Sequence, residues 1–267
     1  MQTKKSITLP TQLECYRHKI ESSIVNSLWI TPVKEKPSIT DSKFSGSPYL
    51  PKSHIHPKDS NGDYMPLLAQ INFAQLLSPS LFPNEGLLQF FISRSISYST
   101  QKKMELLLQQ DYKIRYFPKL ESEEHLVADF SYLQLDNSFL IQDEMKLEFQ
   151  IKLEPVSATD YRFEEFMTHS QIEEPFFSED DRTFEDIYLE NFLSAEHKLG
   201  GYPYFIEYDT RKDSTFLKKF DTLLFQIISN DEQGIMYGDS GIIKFFINQQ
   251  SLKNLDFSTI YFVAEQF

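Results

Sequence analysis

One cysteine, Cys15, stands in a chain of 267 residues, so no internal disulfide can form. That agrees with a reducing compartment. Glycine is scarce at eight residues, and neither GxGxxG nor GxxxxGK spacing occurs, which leaves no phosphate-cradling loop. Long apolar runs are missing too: segments such as FFISR and IIKFFIN fall far short of the roughly 18 apolar residues needed to cross a bilayer. No membrane association is expected. MQTKKSITLP offers two lysines with no apolar segment after them, so a secretory signal is not expected and a cytoplasmic location is. Bases are outnumbered, 26 Lys and Arg against 39 Asp and Glu for a net charge of −13. A nucleic-acid partner is disfavoured, because phosphate backbones demand clustered cations.

What is present is aromatic and locally acidic. With 24 Phe and 14 Tyr, the simplest core is Phe-rich. Between Asp143 and Glu190 fifteen acids face four bases, and this stretch supplies most of the net charge. The plain reading is a solvated helical face. The functional one is an electrostatic guide for a basic protein partner, with Glu173, Glu174, Asp180 and Asp181 as its contact residues.

The chain also carries one pattern twice, about 155 residues apart. SKFSGSPYLP (42–51) returns as HKLGGYPYFI (197–206), LLAQI (67–71) as LLFQI (223–227), and GLLQFFI (86–92) as GIIKFFI (241–247), with twelve of twenty-two aligned positions identical. This predicts duplicated halves, 23–120 and 190–267, joined through an acidic helical connection at 143–190 and related by a pseudo-twofold axis within a single domain spanning 1–267.

Leu13, Tyr16 and Ile20 predict a short amphipathic helix over 10–22. Residues 23–34 read as a strand, since branched and aromatic residues dominate and Pro32 interrupts any helix. PLLAQINF and GLLQFFIS read as interior strands, and DYKIRYFPK (111–119) and MKLEFQIKLEPV (145–156) alternate as half-exposed strands do. Helical signal concentrates at 159–169 and 181–195, and the chain closes with IIKFFIN, a helical turn at SLKNL and the strand STIYFVAE. The fold class is α+β, a mainly antiparallel sheet with flanking helices.

Gly46 and Gly201 stand two residues before Pro48 and Pro203, and these blocks should be shaped turns leading into strands. Gln70 and Gln226 each sit alone in an apolar strand. Alternation puts Leu67, Ala69 and Ile71 on one face and Leu68 with Gln70 on the other. With the repeated Lys43 and Lys198, the amides are candidate ligand contacts in a central groove; the alternative is that each amide bonds neighbouring backbone and each lysine is an exposed turn residue. GDSG (238–241) matches four letters of a serine-nucleophile loop, but no suitable histidine segment accompanies Ser240 and a hairpin turn explains it better. His54 and His56, with Asp59 and Asp63 nearby, form an HxH pair lacking a third nearby His or Cys; no metal site, cofactor or catalytic set is expected. Cys15 reads as a small, partly buried side chain.

PLLAQINF followed by FPNEGLLQFFI, then HKLGGYPYFI, LLFQI and MYGDSGIIKFFI, resembles the bacterial YwqG-like family, a domain of unknown function, from about residue 20 to the end. The resemblance implies a cytosolic bacterial protein with a mainly antiparallel sheet flanked by helices, and no established activity to carry over. Tyr237 stands where members commonly carry Trp, which leaves the turn intact. The functional expectation is a non-catalytic binding or regulatory protein acting through a protein partner. The alternative is a small-molecule sensor or enzyme using the polar groove.

Overall fold

The computed structural model describes residues 7–76, 81–96, 109–133, 139–167 and 182–266. Its strands are β1 (Val25–Val33), β2 (Lys43–Phe44), β3 (Leu67–Asn72), β4 (Leu87–Ile92), β5 (Tyr112–Phe117), β6 (Met145–Glu154), β7 (Lys198–Gly200), β8 (Thr222–Ile228), β9 (Ile242–Ile247) and β10 (Tyr261–Glu265). They form one sheet in the order β10-β9-β8-β7-β1-β6-β2-β3-β4-β5. Every neighbouring pair is antiparallel.

The two long strands lie at the centre. β1 pairs with β6 from Val25 opposite Glu154 to Val33 opposite Lys146. Each is then bonded into the wing that follows the other in sequence: β6 meets β2, and β1 meets β7. Neither wing is therefore completed by the strand that precedes it. Pro32 is tolerated in this central strand for a local reason. The N–H of Ile30 points towards the β7 side, donating to the His197 carbonyl at 2.8 Å. Pro32, two residues on, faces the same side, but β7 reaches only Ser27 to Trp29, so no ladder bond is lost there.

The sheet folds over on itself as a half-barrel, and its inner face carries the main core. Phe90 of β4 meets Phe225 of β8 at 4.8 Å and Phe245 of β9 at 5.0 Å between ring centroids. Tyr112 of one edge strand stacks on Phe262 of the other at 4.9 Å, and its hydroxyl donates to the Ile260 carbonyl at 2.8 Å. The Phe-rich composition is thus spent on joining the wings, and the space between their inner faces is filled.

Helices are short, and all but the last pack into a core of their own. The opening helix forms as a 3-10 segment (Thr11–Tyr16) running into α1 (Arg17–Ser22). The helical signal at 159–169 yields only α2 (Phe163–Phe166), while α3 (Phe184–Phe192) is started by a capping box in which Thr183 and Asp186 exchange hydrogen bonds. Leu13, Ile20, Phe163, Phe184, Ile187 and Tyr188 make a second core. The turn expected at SLKNL is α4 (Gln249–Lys253). Among the described residues no helix is long and apolar enough to cross a membrane.

Three sequence expectations are corrected by the structure. Strict alternation fails in β3, where Leu67 pairs with Phe91 and Ala69 with Phe90, leaving Leu68 as a bulge. Leu68 therefore joins Ala69 and Ile71 in the main core, and Leu67 lies with Met65 and Phe91. The same bulge occurs at Leu224 in β8. The Gly-Pro blocks, in turn, leave short strands, β2 and β7, instead of leading into strands, because two or three residues of pairing precede the turn. Cys15 is exposed, not partly buried, since Leu13 takes the inward position of that 3-10 turn.

Because each wing borrows its innermost strand and both share one aromatic core, unfolding should be a single event. Phe225→Ala should lower stability by about 3–5 kcal/mol, with urea transitions followed by Trp29 fluorescence and by far-UV circular dichroism coinciding. Two separated transitions would contradict this.

Candidate functional site: two buried polar rows and an acidic cleft

The repeated polar residues line up across the outer face of the sheet. In the first wing Lys43 is opposite Gln70, Gln70 opposite Gln89, and Gln89 opposite Arg115. In the second wing Lys198, Gln226, Lys244 and Val263 form the matching row. Both rows lie on the face away from the main core, since Ala69, Ile71, Phe225 and Ile227 take the other side.

Each row is roofed by the loop that departs from its short strand. The Gln70 side-chain carbonyl accepts from Tyr49 N–H at 2.9 Å and from Gln89 Nε2 at 2.9 Å, while its Nε2 donates to the carbonyls of Ile39 and Asp41, both at 2.9 Å. Gln226 accepts from Tyr204 N–H at 3.0 Å and donates to the carbonyls of Ser194 and Glu196, both at 3.0 Å. A primary amide offers two donors and two acceptor sites, so Gln70 is saturated within the fold. Both glutamines are fully buried.

The lysines are buried as well, not exposed turn residues. Lys43 reaches Glu144, and Lys198 reaches Glu154, each at 2.9 Å. Glu144 immediately precedes β6 and Glu154 ends it, so one strand supplies both counter-ions. Glu154 also accepts from the Trp29 indole. Burial lowers the Lys198 pKa, against the opposing pull of Glu154. Gly46 and Gly201, at φ of 77° and 71°, are needed for space as much as for conformation. A Cβ on Gly46 would strike the Glu144 carboxylate, and one on Gly201 that of Glu154.

The structure thus brings Lys43 beside Gln70 and Lys198 beside Gln226, but it does not bring the two pairs together. Five strand spacings separate β3 from β8, roughly 24 Å along the sheet at ~4.8 Å each. The expected central groove is absent here because the inner faces that would line it are packed with phenylalanine. Glu173, Glu174, Asp180 and Asp181 lie outside the described residues.

Sequence reasoning missed the residues that complete these rows. Glu144, Glu154, Gln89 and Lys244 were visible only as unrepeated or mismatched letters, the last two as the single polar exchange in GLLQFFI and GIIKFFI. Gln89 Nε2 donates to the Tyr49 carbonyl at 2.7 Å, and Lys244 Nζ donates to the corresponding Tyr204 carbonyl at 2.9 Å. Lys244 pairs with Glu265 and lies 3.7 Å from the Phe205 ring centroid. A further network surrounds Arg211, which is fully buried, bonds Asp209 and Asp160, and lies 4.3 Å from the Phe246 ring centroid. His56 takes the equivalent place in the first wing, 5.3 Å from Phe91. His56 meets the Met65 carbonyl and the Tyr132 hydroxyl, whereas His54 packs on Phe117, so the HxH rings do not converge. Among the described residues no group of three or more His, Cys, Asp or Glu is placed to hold a metal. Ser240 is exposed in a turn organised by Ser229, whose hydroxyl accepts from Tyr237 and Gly241 N–H.

An open cleft of about 470 Å³ lies where β1 ends and β6 begins. Lys34, Glu35, Lys36, Asp143, Glu144, Asp231 and Glu232 line it, five carboxylates against two lysines. Glu35 is paired to Lys146 and Glu144 to Lys43, both at 2.9 Å. Asp143, Asp231 and Glu232 are more freely exposed.

A family model described as Domain of unknown function (DUF1963) matches residues 42–265. The chain belongs to that family. Its matched span begins with the first Gly-Pro block and ends in β10, so it takes in both polar rows and all strands except β1. No curated protein matches the chain.

Lys244 gives a pH signature to the second row. Burial lowers its pKa from 10.5 to about 8, although Glu265 pulls upward. Below pH 8 the ammonium is charged in both folded and unfolded chains. Between about 8 and 10.5 the unfolded chain holds a proton that the folded one has lost, so this residue makes stability rise with pH in that window. Lys244→Gln, which installs the amide of the first row, should remove that rise in urea titrations at pH 7.5 and 9.5 while retaining a donor for the Tyr204 carbonyl. An unchanged pH slope would contradict the assignment.

Proposed function

We propose that this protein is a non-catalytic binding or regulatory protein that acts through a basic protein partner in the bacterial cytoplasm, as a YwqG-like member of its family. The observation that carries this reading is the open cleft with its excess of carboxylates. Such a surface favours a cationic segment, through long-range attraction and through charge-assisted hydrogen bonds on contact. The acidic stretch holding Glu173, Glu174, Asp180 and Asp181 adds charge of the same sign, which strengthens attraction for the same class of partner.

The polar groups of the interior support the non-catalytic part of the reading. The amides and lysines of the two rows spend their hydrogen bonds on loops and carboxylates of the same chain, which makes them tie points for the fold. A sensor or enzyme using Lys43, Gln70, Lys198 and Gln226 would require them to exchange those partners for a ligand.

The matching bulges, loop carbonyls and glycines favour descent of the two wings from one duplicated module, in which each first strand was exchanged between copies. On that reading the chain is one domain, with the halves at 23–120 and 190–267 and the acidic connection at 143–190.

The partner reading is tested by two charge-reversal variants, one at Asp143, Asp231 and Glu232, the other at Glu173, Glu174, Asp180 and Asp181, each changed to lysine. Affinity capture from the native host should recover a basic protein with the parent chain, lose at least tenfold of it with one variant or both, and weaken with added salt. Equal recovery from all three chains would contradict the proposal.

A further inference from the structure

The two ends of the sheet, β5 and β10, come together without strand pairing, since they stand last and first in the strand order. Among the described residues, side chains supply the hydrogen bonds that cross from the β5 side to the stretch 256–260 before β10. Ile114 shows what this seam must solve. Asp111 accepts from the Ser93 N–H at 2.7 Å on the β4 side, so by alternation Ile114, three residues on, turns its N–H to the open edge. An unpaired edge of that kind is a template for strand addition.

Gln109 caps the edge and spans the gap. Its Oε1 accepts from Ile114 N–H at 2.9 Å, and its Nε2 donates to the carbonyls of Phe257 at 3.1 Å and Ser258 at 3.0 Å. Turning the amide over would set donor against donor and oxygen against two carbonyl oxygens, which fixes its orientation. The side chain is buried. Tyr112, on the same edge, donates its hydroxyl to the Ile260 carbonyl at 2.8 Å, and the Tyr116 ring lies 5.1 Å from that of Phe257. Gln109 thus applies the chemistry of Gln70 and Gln226, an amide holding loop backbone, to the two ends of the sheet.

Both sides of the seam are entered through strained backbone. Gln109 has φ of 48° and Leu255 φ of 57°, two of the four non-glycine residues at positive φ among those described. Leu255 follows α4, where its N–H donates to the Leu252 carbonyl at 3.0 Å and the Asp256 N–H to the Ser251 carbonyl at 2.9 Å. Glycine usually occupies that place in such a helix ending, and a leucine there is disfavoured. The Leu255 side chain is exposed and does little to fix it. Positions of this kind cluster where chains switch between arrangements.

We propose that the seam is a latch, clasped by Gln109 across the two ends of the sheet and hinged at Leu255. Its release swings residues 256–260 away from β5 and uncovers the Ile114 edge, while β10 keeps its ladder with β9. The opening is sub-global, so the cooperative urea transition stays single.

Native-state proteolysis of the full chain tests this. Chymotrypsin cuts after Phe257 only when the seam is open, because that side chain is buried in the closed form, and mass spectrometry resolves this cut from others. In the parent, the cut should depend on urea far less steeply than global unfolding does, since a sub-global opening exposes little surface. Gln109→Glu at pH 7.5 turns a carboxylate on the Phe257 and Ser258 carbonyls in place of two N–H donors, and should speed the cut by about tenfold or more. Gln110→Glu adds the same charge at the exposed neighbour and should leave the parent rate. Should Gln109→Glu fail to fold, Gln109→Met, of similar size without the amide, serves instead and should also speed the cut. The proposal is overturned if the parent's cut rises with urea as steeply as global unfolding, if the Gln109 variant is cut at the parent rate, or if Gln110→Glu matches it.

Discussion

The constraint on which the structure depends is the cost of placing a primary amide inside an apolar sheet. Unpaired, each buried amide would cost several kcal/mol. Gln70 and Gln226 avoid that by binding the backbone of the loops above them, and the loops are thereby fixed to the sheet. Ile39, Asp41 and Tyr49 on one side, and Ser194, Glu196 and Tyr204 on the other, supply the same kind of group at the same relative positions. With the roof held, lysines can be buried beneath it, and carboxylates from the two ends of β6 can reach them through the spaces left by Gly46 and Gly201.

The same arrangement divides the molecule by chemistry. Inside the curve of the sheet, aromatic rings from both wings join, which supplies the hydrophobic drive to close it. On the outer face, charge and amide groups are enclosed by loops and matched almost one for one. Buried ion pairs of this type contribute little net stability, but removing one partner is expensive. They therefore act mainly to select one register and one loop path.

Much of this was legible in the letters. The repeat located six of the ten strands or their flanking turns, and the isolated Gln in LLAQI and LLFQI stood out as a buried amide, whose partners are the loop backbone that the alternative reading named. What could not be read is physical in origin. A bulge adds one residue without altering composition, so the faces of Leu67 and Leu68 were exchanged. β2 and β7 are two and three residues long, below the length at which periodicity exists. Neither the groove nor the exposed turn expected for Lys43 and Lys198 anticipates their burial, because their carboxylates, Glu144 and Glu154, lie outside the repeat and are about 100 and 44 residues distant in the chain. The expected groove failed for a topological reason: crossing of β1 and β6 places the inner faces of the wings against each other, and the amides alternate away from them.

The central claim, that the two glutamine amides hold the crossing loops to the sheet, is tested most directly by native-state hydrogen exchange at two backbone sites. The N–H groups of Tyr49 and Tyr204 belong to loop residues outside any strand, yet they donate to Gln70 and Gln226. The account predicts that both exchange among the slowest amides of the chain, with opening free energies close to that of global unfolding. Exchange within seconds, at the rate of exposed loop amides, would contradict it.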